Sequence, residues 1–203
     1  MEASVETPDR LEGDKAQRIL TAMRNSVATR GAAASTFDHV AREAGVSRGL
    51  LHYYFGSKER LLIEVCRRDC ERQIARLEER LAPAGSVDEI VAALVHGLEE
   101  FLSDDPGTQA VIYELLSASR HSEEIRIELA ELYRRWRAHL ADALRAKQDE
   151  GVVQLEADPE AVASVLFALA DGIGIQVASE PDWNSGPTFE VGIGVARRLL
   201  GAS

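Results

Sequence analysis

Apolar residues recur along most of this chain at helical spacing, and almost nowhere with the alternation of a strand. Between Lys15 and Arg30, Ile19, Met23 and Val27 stand four apart, and Gly31 follows as a natural stop. Ser35-Thr36-Phe37-Asp38 has the spacing of a capping box, in which a hydroxyl and a carboxylate satisfy the free N–H groups of a new helix. Phe37, Val40, Ala41 and Ala44 then mark the inner face of a helix about two turns long, which Gly45 closes. Ser47 can cap the next helix, from which Leu51 and Phe55 face inward and Arg48, Gly49, His52 and Tyr53 outward. Gly56 breaks it, and Ser57 starts a long helix to about Leu81. Further helices are expected over 86–104, about 108–119, 122–149, 158–179 and 190–200. Pro106-Gly107, Gly151, Asp158-Pro159 and the Pro181–Pro187 loop separate them, with Trp183 as a local plug in that loop.

Two short helices joined by Ala44-Gly45-Val46-Ser47, with a third before them, describe a helix-turn-helix. Packing through Phe37, Val40 and Leu51 would let the last helix project into a DNA major groove. Helical hairpins of this spacing also occur as plain structure, so spacing alone leaves both readings open.

Composition and charge sharpen the choice. The 203 residues are 45% hydrophobic and only 5% aromatic, enough for a real core, and the formal charge is −11. That average opposes DNA binding, but it is unevenly spread. Residues 10–60 hold nine Lys/Arg against five Asp/Glu, whereas 61–203 hold fourteen against twenty-six. A small basic module precedes a large acidic body. The acidic N-terminus has no apolar run and is not expected to be a signal peptide. Two cysteines exclude a disulfide scaffold and suit a reducing cytoplasm. The stretch 161–179 is long enough to consider as a membrane span, but Asp171 in its middle and glutamates at both flanks favour a buried helix.

The residues Ile19 through Ala28, Thr36-Phe37-Asp38-His39-Val40-Ala41, Ala44 through Phe55 and Ser57-Lys58-Glu59-Arg60-Leu61-Leu62 resemble, in order and spacing, the DNA-binding domain of TetR-family transcriptional regulators. The resemblance covers roughly 15–65. Beyond it, the chain resembles the family in size and helical layout, and Leu166 to Ile175 (LFALADGIGI) looks like the penultimate helix used for dimerisation in many members. The resemblance implies that Arg48, Gly49, Leu50 and His52 read bases and that Thr36, Ser47, Tyr53, Tyr54 and Lys58 contact phosphates. The chemistry agrees. Arginine can grip guanine O6 and N7 together, glycine lets the backbone approach closely, and hydroxyls and a lysine suit phosphate oxygens. Leu50 replaces a frequent threonine and is suited to a thymine methyl, and His52 replaces a frequent tyrosine.

The expected architecture is all-α: a tail at 1–14, a three-helix DNA-binding domain at 15–57 and a larger helical ligand-binding and dimerisation domain at 58–203. Ala168, Gly172 and Gln176, with Gly192 and Ala196, place small residues four apart on two C-terminal helices and are the candidate homodimer surface. Asp171 among them should face a donor or the rim. Phe101, Tyr113, Trp136, His139 and Phe167 are candidates to line a ligand cavity, each with ordinary packing as the alternative. Arg134-Arg135-Trp136-Arg137 reads chiefly as a solvated face paired with nearby glutamates. Cys66 and Cys70 continue an apolar stripe through Ile74, Leu77 and Leu81 and read as buried thiols, with no closed metal site. No catalytic motif stands out among the dispersed histidines, and neither a cofactor nor a metal is expected. The expected protein is therefore a cytoplasmic homodimeric repressor that binds a near-palindromic DNA operator and leaves it on binding a small molecule. The alternatives are a helical interaction module, or an activator without such an inducer.

Overall fold

The computed structural model describes residues 14–103 and 106–201; the tail expected over 1–14 lies outside this range except for Asp14, with which the first helix begins. Among the described residues there are nine helices and no strand. They are α1 (Asp14–Ala34), α2 (Phe37–Ala44), α3 (Arg48–Phe55), α4 (Lys58–Leu81), α5 (Val87–Ser103), α6 (Pro106–Ala118), α7 (Glu123–Asp149), α8 (Pro159–Ser179) and α9 (Gly186–Leu199). The chain divides into two compact units. The first takes residues up to 68 together with 107–129, and the second takes 69–106 together with 130 onward.

In the first unit, α1 packs along α2 and α2 across α3. Ile19, Met23, Val40 and Leu51 are wholly buried, with Val27, Phe37 and Phe55 beside them in the core. α1 runs past its expected end, but Gly31 (φ 74°, ψ 162°) breaks its helical geometry at the expected stop. The bend is tied from within. The buried Ser35 hydroxyl donates to the Gly31 carbonyl at 2.8 Å, so Ser26 is the donor in the 2.8 Å bond between the two serine hydroxyls. This corrects the capping-box reading by one residue. Ser35 faces inward, and Thr36 is the N-cap of α2, accepting from the His39 N–H at 3.3 Å. At the other end Gly45 is left-handed (φ 66°), and the Val46 N–H reaches back to the Ala41 carbonyl at 2.9 Å. Ser47 caps α3 by accepting from the Leu50 N–H at 3.2 Å. α6 and the first turns of α7 belong to this unit too. A Cβ on Gly107 would lie 2.7 Å from Arg24 Cγ, while Arg60 bonds Glu124 at 2.7 Å and Arg67 bonds Glu128 at 2.9 Å.

In the second unit α5, α8 and α9 pack closely around Ile90, Val91, Leu140, Leu144, Val162, Ala163, Leu166 and Leu200. Two boundaries differ from expectation. α6 starts at Pro106, and α9 starts at Gly186 rather than near 190, each with proline in its first turn, where its missing N–H costs nothing. The buried Lys147 ammonium donates to the Ala82 carbonyl at 2.9 Å and pairs with Glu150 at 2.8 Å. Cys66 and Cys70 are both buried and neither is in a disulfide, as their apolar stripe implies.

After α9 the backbone folds back on the segment following α7, where the Gln154 N–H donates to the Leu200 carbonyl at 3.2 Å. Gly201 (φ 88°) closes this turn, and a Cβ there would lie 2.4 Å from the Gln154 carbonyl oxygen. Gly151 also has a positive φ (76°) but nothing within 4 Å of its virtual Cβ. Gly151→Ala should therefore cost about 1 kcal/mol of backbone strain. Gly201→Ala adds a backbone clash and should cost about 2–3 kcal/mol. Urea unfolding at one fixed protein concentration measures both, and equal midpoints for the two variants would show that the clash carries no weight.

Candidate nucleic-acid interface

α3 is eight residues long, too short to be stable alone. Leu51 and Phe55 anchor it, and Ser47 and Gly56 cap it. These anchors leave Arg48, Gly49, His52 and Tyr53 exposed on its outer side, with Leu50 and Tyr54 half-buried. A Cβ on Gly49 would meet only Ser47 Oγ, at 4.0 Å, so the backbone there is open to a close neighbour.

The exposed residues are not independent. Arg48 Nη1 donates to both carboxylate oxygens of Asp38 on α2, at 3.0 and 3.3 Å. Its Nε donates to His52 Nε2 at 3.3 Å, one turn on. Because the guanidinium is always a donor, His52 Nε2 is the acceptor in this bond. The His52 ring is steadied from α2 as well, edge-on to Phe37 with centroids 4.7 Å apart. Asp38 was not among the site residues read from the sequence. Its place in the capping pattern hid it, and only the fold of α2 against α3 brings it to Arg48.

The hydroxyls of Thr36 and Ser47 spend a lone pair each on capping and keep their proton for another acceptor. Tyr53 is 73% exposed and stands edge-on to Tyr54 at 5.2 Å. Lys58 is not a free surface cation. Its ammonium donates to the Ala32 carbonyl at 2.9 Å in the last turn of α1, leaving two of its three protons for other partners.

The remaining candidate residues fall in different places. Tyr113 lies in the first unit, where its phenol oxygen accepts from Gln109 at 3.2 Å, while Phe101, Trp136, His139 and Phe167 lie in the second. The second-unit residues separate further. Trp136 and Phe167 stack with centroids 6.0 Å apart, whereas His139 is exposed and bonded to Glu78 at 2.9 Å. Tyr133, missed in the sequence, stands edge-on to Trp136 at 5.3 Å. Arg134 and Arg135 both pair with Glu131, as expected of a solvated face. On α8, Ala168 and Gln176 are exposed and Gly172 has nothing within 4 Å of a virtual Cβ. Ala196 is different: it is buried in the core of its own unit, and a Cβ on Gly192 would meet Ile173 at 3.6 Å.

Residues 19–65 match the family model described as bacterial regulatory proteins of the tetR family, and 90–202 match the BetI-type transcriptional repressor C-terminal model. The HTH-type transcriptional regulator BetI of Rhizobium meliloti (strain 1021) is 32% identical over 168 residues, 82% of this chain and 79% of that protein. Among solved structures, a putative TetR-family regulator from Rhodococcus sp. superposes with a TM-score of 0.78 at 24% identity, covering 93% of this chain and 99% of that one. A putative transcriptional regulator from Saccharomonospora viridis, solved in complex with choline, superposes with a TM-score of 0.70 at 26% identity, covering 90% and 93%. The basic helix-turn-helix head and the BetI-type body together make this chain a DNA-binding transcriptional regulator of the TetR family.

Proposed function

We propose that the chain is a cytoplasmic homodimeric repressor that holds a near-palindromic operator and leaves it when a small molecule binds the second unit. The observation that carries DNA reading is the exposure of Arg48, Gly49 and His52 on one side of an α3 that is anchored by its other side. Arg48 reads a guanine edge, Gly49 admits the groove wall, Leu50 and His52 meet neighbouring bases, and Thr36, Ser47, Tyr53, Tyr54 and Lys58 hold phosphates.

Dimerisation is supported by α8. It is the one helix among the described residues long and apolar enough to cross a membrane, yet only 28% of its apolar stretch is buried within the chain. Val165 and Ile175 are 44% and 49% exposed, in line with Ala168 and Gly172, and Val191 on α9 is 67% exposed. A second copy presents the same face back and covers it. Ligand control is supported by the path of α7, whose first turns are ion-paired to α4 within the DNA-binding unit while the rest of it builds the second unit. The relative solved with choline supports a small molecule as the effector.

Selection of bound fragments from random duplexes should recover two half-sites about one helical turn apart, near 34–36 Å. Recovery of a single half-site, or of no preferred sequence, would overturn the operator-reading dimer. Arg48→Ala should cost about 1–3 kcal/mol and relax preference at one base position. Asp38→Asn should do the reverse of a simple loss. Freed from its acid, Arg48 gains a phosphate, so nonspecific binding tightens, the salt slope steepens by about one, and discrimination between operator and random duplex falls. Unchanged discrimination in Asp38→Asn would remove Asp38 from the reading apparatus.

A further inference from the structure

Arg48 is held at two points on the outer side of the helix-turn-helix. Its Nη1 donates to both carboxylate oxygens of Asp38, at 3.0 and 3.3 Å. Its Nε has a single proton and donates it to His52 Nε2 at 3.3 Å. The fork that pairs Nε with Nη2 is therefore closed, and the guanidinium offers its remaining Nη protons from a plane that both neighbours fix. Asp38, Arg48 and His52 are all exposed, so protons from solvent and the edge of a duplex reach them alike. The two holds differ in kind. The Asp38 carboxylate keeps its charge through the neutral range, whereas histidine is the side chain that changes charge between about pH 5 and 8.

An imidazole nitrogen accepts a hydrogen bond only while it carries no proton. Protonation of His52 at Nε2 turns that acceptor into a donor, breaks the bond to Arg48 and sets two positive groups one helical turn apart. From α2, the ring faces the Phe37 edge and, across Arg48, the Asp38 carboxylate. The other ionisable side chains of α2 are turned to one another: Arg42 Nη2 bonds His39 Nδ1 at 3.0 Å, and the Glu43 carboxylate lies 3.4 Å from His39 Nε2. From the start of α4, Lys58 is directed to the Ala32 carbonyl, and on α3 itself Tyr53 stands against Tyr54. We propose that His52 is the positioning residue of Arg48 and makes its base reading depend on protons. Neutral, His52 holds the guanidinium toward one base edge. Protonated, it lets go of Nε, the Nε–Nη2 fork opens to the paired oxygens of a phosphate, and a second positive charge joins the surface. The head then binds DNA more tightly and with less choice. The proposal rests on base reading by Arg48 and deepens it, and it stands beside any contact His52 makes with a base of its own.

The full chain is titrated with its selected operator and with a random duplex of equal length, at fixed salt, from about pH 8 to about pH 5.5. The ratio of the two affinities should fall about three- to tenfold over that range, while binding to the random duplex tightens and its salt slope steepens by about one. The lost preference should include the base position that Arg48→Ala relaxes. His52→Gln, whose side-chain carbonyl accepts and takes up no proton, should discriminate at both ends of the range as the parent does at the upper end. His52→Phe keeps a ring against Phe37 but no acceptor, and should discriminate poorly at that position throughout. Added to Arg48→Ala, His52→Phe should cost nothing further there. Without DNA, the Arg48 Nε–H resonance should move with falling pH in the parent and stay in place in His52→Gln. A parent ratio flat with pH, a pH dependence retained in His52→Gln, a His52→Phe variant that keeps the parent's preference at the Arg48 position, or an Nε–H resonance that does not move would each overturn the positioning role and leave base reading by Arg48 standing. An Arg48→Ala variant that relaxes no position overturns the base reading, and the proton-dependent choice with it, while the Nε–H resonance still shows whether His52 holds the arginine.

Discussion

The packing of α3 onto α2 is the constraint on which the DNA-facing surface depends. An eight-residue helix does not persist in water, and α3 must leave its outer side bare to enter a groove. Two buried side chains, Leu51 and Phe55, and caps at Ser47 and Gly56 therefore carry nearly all of its order. α2 is no longer than α3 and is held the same way, by Thr36, Gly45 and a buried face of Phe37, Val40, Ala41 and Ala44. Ser26 and Ser35 then tie the end of α1, at its Gly31 bend, to the start of α2. The Lys58 ammonium binds that same end from the start of α4. Each connection is small, but together they join two short helices and the end of α1 into one platform.

That platform also explains how a chain of charge −11 handles DNA. The excess of positive charge in 10–60 is small, and part of it is already engaged: Arg48 by Asp38, Lys58 by a carbonyl. Such an exposed ion pair contributes at most about 1 kcal/mol to folding. Its larger consequence is geometric. Held between Asp38 and His52, the guanidinium has a set direction before DNA arrives, and the Asp38 carboxylate discourages it from settling on a phosphate. In the proposed reading of bases by Arg48, weak overall attraction combined with a pre-aimed arginine favours discrimination over sticking.

The local features were legible in the sequence because they are local. Periodicity and glycine stops marked the buried faces of α1, α2 and α3, and the outward set Arg48, Gly49, His52 and Tyr53 followed from Leu51 and Phe55. What failed to show depends on contacts between segments. The capping-box spacing put the cap at Ser35, and only the Gly31 bend, which draws Ser35 inward, leaves the role to Thr36. Lys58 reads from the resemblance as a phosphate contact, and its bond to the Ala32 carbonyl shows only when the end of α1 is placed beside it. Gly192 and Ala196 have the small-residue spacing of an interface, but that spacing serves contact with a helix of the same chain equally well, and Ala196 is buried in its own core. The ligand candidates were the least legible, since aromatic character alone does not separate Trp136 and Phe167, which meet, from His139, which is exposed and hydrogen-bonded to Glu78.

α8 shows how one helix can serve three surfaces at once. Val162, Ala163, Leu166, Ile173 and Gly174 fall on the side that faces its own core. Val165, Ala168, Gly172 and Ile175 fall nearly opposite and are left bare or uncrowded, the condition for a second copy to approach closely. Phe167 and Asp171 lie between these faces, on the flank where Tyr133 and Trp136 meet them. A charge on the core side would be unpayable in desolvation, and one on the open face would burden a dimer with two acids. On the flank the Asp171 carboxylate sits half-buried and accepts a hydrogen bond from the Tyr133 hydroxyl.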